Sequence, residues 1–151
     1  MRDLANADFQ FSLYSERSEE SDIFYRTTMI NTMKPIAICY PKCGTCQKAE
    51  KWLKANDIEY VYRPVKEENP NKEELKLWIS KSGLPIARFF NTSGLLYKEY
   101  NMKDKVKTLS QEELIDILSS NGMMVKRPIL LTGETVLVGF KEDEWKQVFG
   151  K

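Results

Sequence analysis

The sequence contains no histidine and only three cysteines among its 151 residues. The absence of histidine excludes His-based general acid–base catalysis and every metal site that uses a histidine ligand. A structural zinc site normally takes four ligands, which three cysteines do not supply. Three cysteines are also too few for a disulfide-built scaffold. This content is more typical of an intracellular chain that uses two thiols for chemistry, so we expect a cytoplasmic protein without a bound metal.

Neither sign of charge dominates, because 23 lysines and arginines balance 22 acidic residues and leave a net charge of +1. Such a chain has no global positive field to attract nucleic acid or an anionic membrane, although a local patch stays open. No apolar run approaches the ~20 residues that span a bilayer, and the first residues lack the apolar stretch of a secretory signal. We expect no direct nucleic-acid partner and no membrane attachment.

Residues 1–33 differ from the rest of the chain. The stretch 12–22 is polar and charged and shows neither helical nor strand periodicity, as is typical of disorder. Met33 stands directly before the first convincing strand pattern. We interpret 1–33 as a disordered N-terminal extension or a misassigned start, and we predict one folded domain at 34–151.

From residue 34 onward the pattern predicts a β-α-β unit, a helical insertion and a β-β-α unit. The predicted strands are at 35–40, 58–63, 129–132 and 135–138. The predicted helical segments are at 44–56, 72–82, 86–90, 111–120 and 142–149. Capping signals at Asn71 and Ser110 support two of these helices. The order predicts an α/β protein with a thioredoxin-like fold and a mixed four-stranded sheet.

A Cys-Gly-Thr-Cys motif at 43–46 lies at the turn between the first predicted strand and helix. The nucleophilic form of cysteine is the thiolate. The free N–H groups and dipole of a helix N-terminus stabilise an anion at Cys43, and Lys42 and Lys48 add positive charge. Cys46 is expected one helical turn further on and less exposed. We therefore predict that Cys43 is the attacking thiolate and Cys46 the resolving thiol.

Gly44 and Thr45 are the supporting residues between the two cysteines, with Gly44 keeping the turn open towards a bound oxyanion or disulfide. Two other interpretations of the motif stay open: half of a metal site, or two incidental thiols. The position between a buried strand and an amphipathic helix favours redox chemistry. Cys39, in the first strand, is interpreted as a small buried hydrophobe.

A second candidate site lies at Arg127-Pro128, directly before the third predicted strand. Thioredoxin-like folds place a cis-proline there, opposite the catalytic turn, so Pro128 is a candidate for one. Arg127 would then project toward Cys43, where a guanidinium binds an oxyanion or stabilises the thiolate. The alternative is a surface arginine beside a structural proline.

Four stretches resemble, in order, the glutaredoxin-linked arsenate reductases and their relatives, which include the Spx-type RNA-polymerase-binding regulators of Firmicutes. They are residues 36–46, 89–99, 126–130 and 138–145. In the reductases one cysteine attacks arsenate, and glutathione and glutaredoxin resolve the adduct. Cys43 matches that nucleophile and Arg127 matches an oxyanion-binding arginine.

The resemblance is incomplete, because those reductases carry two further arginines. This chain has Asn91 in the stretch that matches one of them, and the stretch 138–140 offers no arginine for the other. Asn91 is therefore kept only as a supporting residue. One anion-binding arginine of three is present, which weakens the expectation of arsenate reduction more than that of redox chemistry.

The resemblance implies a thiol–disulfide oxidoreductase similar to arsenate reductase. It implies a small oxyanion or disulfide as substrate, no bound cofactor, and glutathione, glutaredoxin or thioredoxin as electron donor. The alternative is an Spx-type redox-sensing regulator that docks on the C-terminal domain of the RNA polymerase α subunit. A redox-inert scaffold is the third class.

Overall fold

The computed structural model describes residues 34–151, and the prediction of an extension or misassigned start at 1–33 lies outside the described residues. The strands are β1 (Ile36–Cys39), β2 (Val61–Pro64), β3 (Ile129–Thr132) and β4 (Thr135–Val138). The α-helices are α1 (Gly44–Ala55), α2 (Lys72–Ser82), α3 (Leu95–Glu99), α4 (Met102–Thr108), α5 (Gln111–Ser120) and α6 (Glu142–Phe149). Single 3₁₀ turns occupy Ile86–Phe89 and Gly122–Met124.

The four strands form one mixed sheet in the order β2-β1-β3-β4. β1 pairs parallel to β2, and it pairs antiparallel to β3 with Ile38 opposite Ile129. β3 and β4 form an antiparallel hairpin across Gly133 and Glu134. The predicted α/β class, thioredoxin-like fold and mixed four-stranded sheet are confirmed.

Successive strand side chains point to opposite faces of the sheet, and helices cover both faces. On one face Ala37 and Cys39 pack against α1 and against Trp145 of α6. On the other face Ile38 and Ile129 pack against α2, the insertion and α5. The cysteine motif therefore belongs to the layer formed by the sheet, α1 and α6. No helix among residues 34–151 is long and apolar enough to cross a bilayer.

The helix boundaries follow the capping signals in the sequence. The Asn71 side chain accepts a hydrogen bond from the Glu74 N–H at 2.8 Å, and the Glu74 carboxylate accepts one from the Asn71 N–H at 3.1 Å. α2 ends at Gly83, whose φ of 70° is the left-handed conformation that glycine adopts without strain. The Ser110 hydroxyl accepts from the Glu113 N–H at 3.2 Å and begins α5.

The prediction for the second strand was wrong at its start, since β2 spans 61–64 and not 58–63. Asp57 has a φ of 55°, and the Ile58 N–H bonds back to the Leu53 carbonyl at 3.0 Å. These residues therefore complete the end of α1 and turn the chain. Pairing with β1 begins only at Val61, opposite Ile36.

The short helices α3 and α4 were not predicted. They contain 5 and 7 residues, which is too short to show two turns of apolar periodicity. They are separated by Asn101 in the left-handed conformation, with a φ of 53°. The sequence between Asn91 and Ser110 therefore does not predict a continuous helix.

The 3₁₀ turn at 122–124 packs directly against the chain that leaves β2. A Cβ added to Gly122 would overlap the Val65 carbonyl oxygen and would lie 2.9 Å from Asn69 Cβ. The backbone approach at this point therefore requires glycine. The contact holds the segment that leads into β3.

We expect Gly122→Ala to lower the free energy of unfolding by about 1–3 kcal/mol, because the new methyl group meets backbone that cannot yield without moving the sheet. Gly44→Ala is the matched control, since its added Cβ meets no atom within 4 Å. The control should stay within about 0.5 kcal/mol of the wild type. Denaturant unfolding of both variants measures the difference, and equal stability would contradict the packing assigned to Gly122.

Candidate thiol site

The cysteine motif begins where β1 ends. Pro41 and Lys42 form a turn that the Cys43 N–H closes by donating to the Tyr40 carbonyl at 3.0 Å. Cys43 is the N-cap residue of α1, with extended backbone angles of φ −89° and ψ 120°. No side chain caps this helix end. The first backbone N–H groups of α1 thus remain available for an anion at this position.

The two cysteines of the motif differ in exposure. Cys43 is half-buried, whereas Cys46 is 0% exposed. Both are free thiols. Only Cys43 can meet a substrate from solvent, and Cys46 stands directly behind it.

Cys46 lies among several groups that stabilise a negative sulfur. The Tyr40 N–H donates a hydrogen bond to Cys46 Sγ at 3.4 Å. The neighbouring Cys39 thiol, the Tyr40 N–H, Cys43 and the charge of Arg127 together outweigh burial and lower the pKa of Cys46 to about 7. Hydrogen bonds to the charged form of a group favour that form, and they act strongly in a buried site.

The Arg127–Pro128 peptide bond is cis, as predicted. The Arg127 guanidinium lies over the Tyr40 ring, 5.0 Å from its centroid, and its Nη1 donates to the Met123 carbonyl at 3.4 Å. Its Nε is buried and has no hydrogen-bond partner within the described part of the chain. Arg127 therefore contacts Tyr40 directly, and its positive charge helps to lower the pKa of Cys46.

Asn91 lies on the insertion side of the same segment. Its N–H donates to the Met124 carbonyl at 2.8 Å, and its Nδ2 lies 3.5 Å from the Met123 carbonyl oxygen. Asn91 and Arg127 thus share one acceptor. The asparagine ties the insertion to the chain that carries Arg127, and it brings no charge to the site.

The other supporting residues are exposed. Lys42 lies in the turn, and Gly44 and Thr45 are the first two residues of α1. Open space lies beside Gly44, where an added Cβ meets nothing within 4 Å. Packing within the protein therefore does not demand glycine there, and the prediction that Gly44 keeps the turn open to a ligand stays a prediction.

Sequence reasoning missed two groups at this site. In the sequence Tyr40 is only the last residue of the first predicted strand, yet its N–H donates to Cys46 Sγ and its ring lies under the Arg127 guanidinium. Cys39 is buried as predicted, and it also packs in the same apolar cluster as Cys46. Strand alternation was the available signal, because it places Cys39 on the face that α1 covers.

Among residues 34–151, no group of three or more Cys, Asp or Glu side chains is arranged to hold a metal ion. A groove of about 290 Å³ lies between α1 and the start of α6. Its lining residues are Lys48, Lys51, Trp52, Ala55, Phe140 and Glu142. No cysteine lines this groove, so it is separate from the thiol site.

Solved structures of proteins with similar sequences cover about three quarters of this chain. An ArsC-family related protein from Bacteroides fragilis is 52% identical, with a TM-score of 0.75, and the match covers 78% of this chain and 99% of that one. A protein described as a possible arsenate reductase from Streptococcus mutans UA159 is 32% identical, with a TM-score of 0.68 and coverage of 74% and 97%.

Sequence relatives point both to proteins without a described role and to a regulator. The uncharacterized protein YusI of Bacillus subtilis is 49% identical over 72% of this chain and 92% of its own length. The regulatory protein MgsR of the same organism is 30% identical over 70% of this chain and 82% of its own length. The model of the ArsC family matches residues 39–148, which include the thiol site and the strands β2, β3 and β4. The chain belongs to the ArsC family.

Proposed function

We propose that this protein is a two-thiol oxidoreductase in which Cys43 attacks a small disulfide or oxyanion substrate and Cys46 resolves the adduct. One observation carries the proposal: a half-buried cysteine at a helix N-terminus is followed, one helical turn later, by a fully buried cysteine. The Cys43 thiol can reach the substrate from solvent, whereas the buried Cys46 thiol can reach only Cys43. That asymmetry suits an ordered two-step exchange.

The cycle balances with a disulfide substrate RSSR′. The Cys43 thiolate attacks one sulfur, the R–S–S–R′ bond breaks, and R′S⁻ leaves and takes up a proton. The Cys46 thiolate then attacks Cys43 Sγ, so that the Cys43–Cys46 disulfide forms and RS⁻ leaves. The substrate gains two electrons and the dithiol loses two. A thiol donor then reduces the intramolecular disulfide and restores both cysteines.

Arg127 supplies positive charge near the reacting sulfurs. Its guanidinium, held over the Tyr40 ring beside the thiol site, suits it to an anionic part of the substrate. Arsenate, however, needs several donors around a compact, highly charged anion. Since Asn91 stands where the reductases carry another arginine, disulfide exchange fits this site better than arsenate reduction.

The electron donor in this proposal is glutathione, glutaredoxin or thioredoxin. The half-buried position of Cys43 leaves its side of the disulfide open to attack by an external thiol, while Cys46 is shielded. Re-reduction then starts at the sulfur that also met the substrate. Such a cycle requires a reducing compartment, and the cytoplasm is one.

We expect Cys43→Ser to abolish turnover of a mixed disulfide substrate, because the attacking sulfur is lost. Cys46→Ser should instead leave the substrate thiol trapped on Cys43, since nothing resolves the adduct. Mass spectrometry of intact protein after reaction with excess substrate distinguishes the two, and Cys39→Ser is a control in which Cys43 and Cys46 both remain. Failure of the wild type to reduce any disulfide or arsenate with glutathione or thioredoxin present would contradict the enzymatic proposal.

Arg127→Met should lower kcat/KM about tenfold or more for an anionic disulfide such as oxidised glutathione, the size expected for loss of one hydrogen bond to a charged group. Turnover of the neutral 2-hydroxyethyl disulfide should fall much less. Lys42→Met is the matched control for removal of a nearby exposed charge. Equal losses for both substrates would show that Arg127 does not recognise the anion.

A second candidate function is redox-sensing regulation, which the 30% identity with the regulatory protein MgsR favours. In this case the same dithiol is a switch, and the partner is the C-terminal domain of the RNA polymerase α subunit. We expect that domain to capture the full chain in only one redox state, with Cys43→Ser as a variant that cannot form the intramolecular disulfide. Absence of capture in both states would remove this function.

A further inference from the structure

In the described part of the chain two arginines lie over aromatic rings, and only one of them is paired with a carboxylate. The Arg63 guanidinium lies 5.5 Å from the centroid of the Trp78 ring. It also donates to both carboxylate oxygens of Glu74, at 2.7 and 2.8 Å. The Arg127 guanidinium lies 5.0 Å from the centroid of the Tyr40 ring, and it forms no salt bridge with any described residue.

The two arrangements differ in what remains of the positive charge. At Arg63 the carboxylate of Glu74 neutralises the guanidinium, and the pair ties β2 to α2. At Arg127 the Tyr40 ring attracts the cation with its electron-rich face but carries no net charge. The ring can therefore hold this guanidinium in one place and leave its positive charge available to another anion.

The backbone of Tyr40 is fixed to both cysteines of the motif. Its carbonyl accepts a hydrogen bond from the Cys43 N–H at 3.0 Å, and its N–H donates to Cys46 Sγ at 3.4 Å. The Tyr40 side chain is partly buried and packs against the apolar cluster on the other face of the sheet. The position of the ring is thus set relative to the two sulfurs, and so is the position of a cation held on its face.

Few other contacts hold the Arg127 guanidinium. Its Nη1 donates to the Met123 carbonyl at 3.4 Å, which is longer than an ordinary N–H···O hydrogen bond. Its Nε has no partner in the described part of the chain, where the bond to Met123 is the only hydrogen bond of the guanidinium. Because arginine has a long side chain with many rotamers, one weak hydrogen bond leaves it much freedom. The Tyr40 ring is therefore the main contact that orients Arg127.

We propose that Tyr40 is a positioning residue whose ring holds the Arg127 guanidinium beside the cysteine motif without neutralising it. The charge then remains available to an anionic group of the substrate that reacts at Cys43. This inference rests on the proposed two-thiol function and adds a residue to its substrate recognition. Tyr40 gains and loses no electron or proton in this role, because it acts only through the position of Arg127.

The charge of Arg127 already acts on the thiol site in the absence of substrate. It is one of the groups that lower the pKa of Cys46. The interaction between two charges weakens with distance and with intervening water. The guanidinium therefore lies close enough to the sulfurs for a substrate anion at Cys43 to lie within the same field.

Two substitutions at position 40 separate the aromatic ring from the rest of the residue. Tyr40→Phe keeps the aromatic face and removes the hydroxyl, whereas Tyr40→Leu keeps an apolar side chain and removes the face. Both keep the backbone N–H and carbonyl that contact the cysteine motif. Tyr100→Leu is the matched control, because the Tyr100 ring lies 5.9 Å from another cation, Lys105 Nζ. Denaturant unfolding confirms that each variant is folded before it is used.

The first measurement needs no substrate and is therefore independent of the proposed enzymatic activity. Protons above the face of an aromatic ring resonate upfield of their usual positions, so nuclear magnetic resonance of the Arg127 side chain detects the contact. The spectrum of Arg127→Met assigns these signals by their absence. Tyr40→Phe should keep the upfield positions, and Tyr40→Leu should return the signals to the usual positions of an arginine side chain. Tyr100→Leu should leave them unchanged.

The second measurement tests whether the held charge serves the substrate. Tyr40→Leu should lower kcat/KM for oxidised glutathione about threefold to tenfold, the range expected for loss of a cation–π contact, and mainly through a higher KM. Turnover of the neutral 2-hydroxyethyl disulfide should change much less, and Tyr40→Phe should retain the KM of the wild type. In an Arg127→Met background, Tyr40→Leu should have no further effect, because the two residues act as one unit.

Arg127 signals that do not move in Tyr40→Leu would overturn the inference, because the ring would then not hold the guanidinium. A Tyr40→Phe variant as impaired as Tyr40→Leu would also overturn it, since the aromatic face would not be the cause. An undiminished effect of Tyr40→Leu in the Arg127→Met background would do the same. If the wild type reduces no disulfide while the Arg127 signals still depend on the ring, the proposed function fails and the role of Tyr40 in holding Arg127 stands.

Discussion

The antiparallel pairing of β1 with β3 in the centre of the sheet sets the position of every chemical group in this molecule. Ile38 lies opposite Ile129, so one residue further along stand Cys39 at the end of β1 and Pro128 at the entrance to β3. The chain leaves β1 into the cysteine turn and enters β3 from the cis peptide bond. The two segments carry the thiols and the arginine, respectively. A slip of this register by one residue would turn Cys39 to the opposite face of the sheet.

Much of this arrangement could be predicted because its signals are local. The capping residue Asn71, the break at Gly83 and the hairpin across Gly133 and Glu134 each act within a few residues and appear directly in the sequence. The cis-proline and the partly exposed Cys43 followed from the order of the elements. The helices α3 and α4 did not, because their lengths of 5 and 7 residues leave no period to detect.

The contacts of Cys46 were hidden for a different reason. They join a strand end, a helix and the segment before β3, and only the folded sheet brings these together. Composition assigns a cysteine between apolar residues to the core, and Cys39 is there. Its place in the same apolar cluster as Cys46 depends on how α1 docks on the sheet, which no single-element pattern contains. The backbone N–H of Tyr40 carries no side-chain signal at all.

The stabilised thiolate bears on the choice between enzyme and sensor. Interactions that favour the thiolate stabilise the reduced dithiol relative to the disulfide, so they make the disulfide easier to reduce. A catalytic cycle gains from this, because the donor must restore the dithiol after every turnover. A sensor that signals through a lasting disulfide gains less, since its oxidised state becomes shorter-lived. The Tyr40 N–H at the end of β1 donates to the buried sulfur, whereas in the proposed cycle the surface sulfur meets the substrate. The Tyr40 N–H and the positive charge of Arg127, both acting on the buried Cys46, therefore favour rapid exchange over a stored signal, whichever substrate Cys43 meets in the proposed cycle.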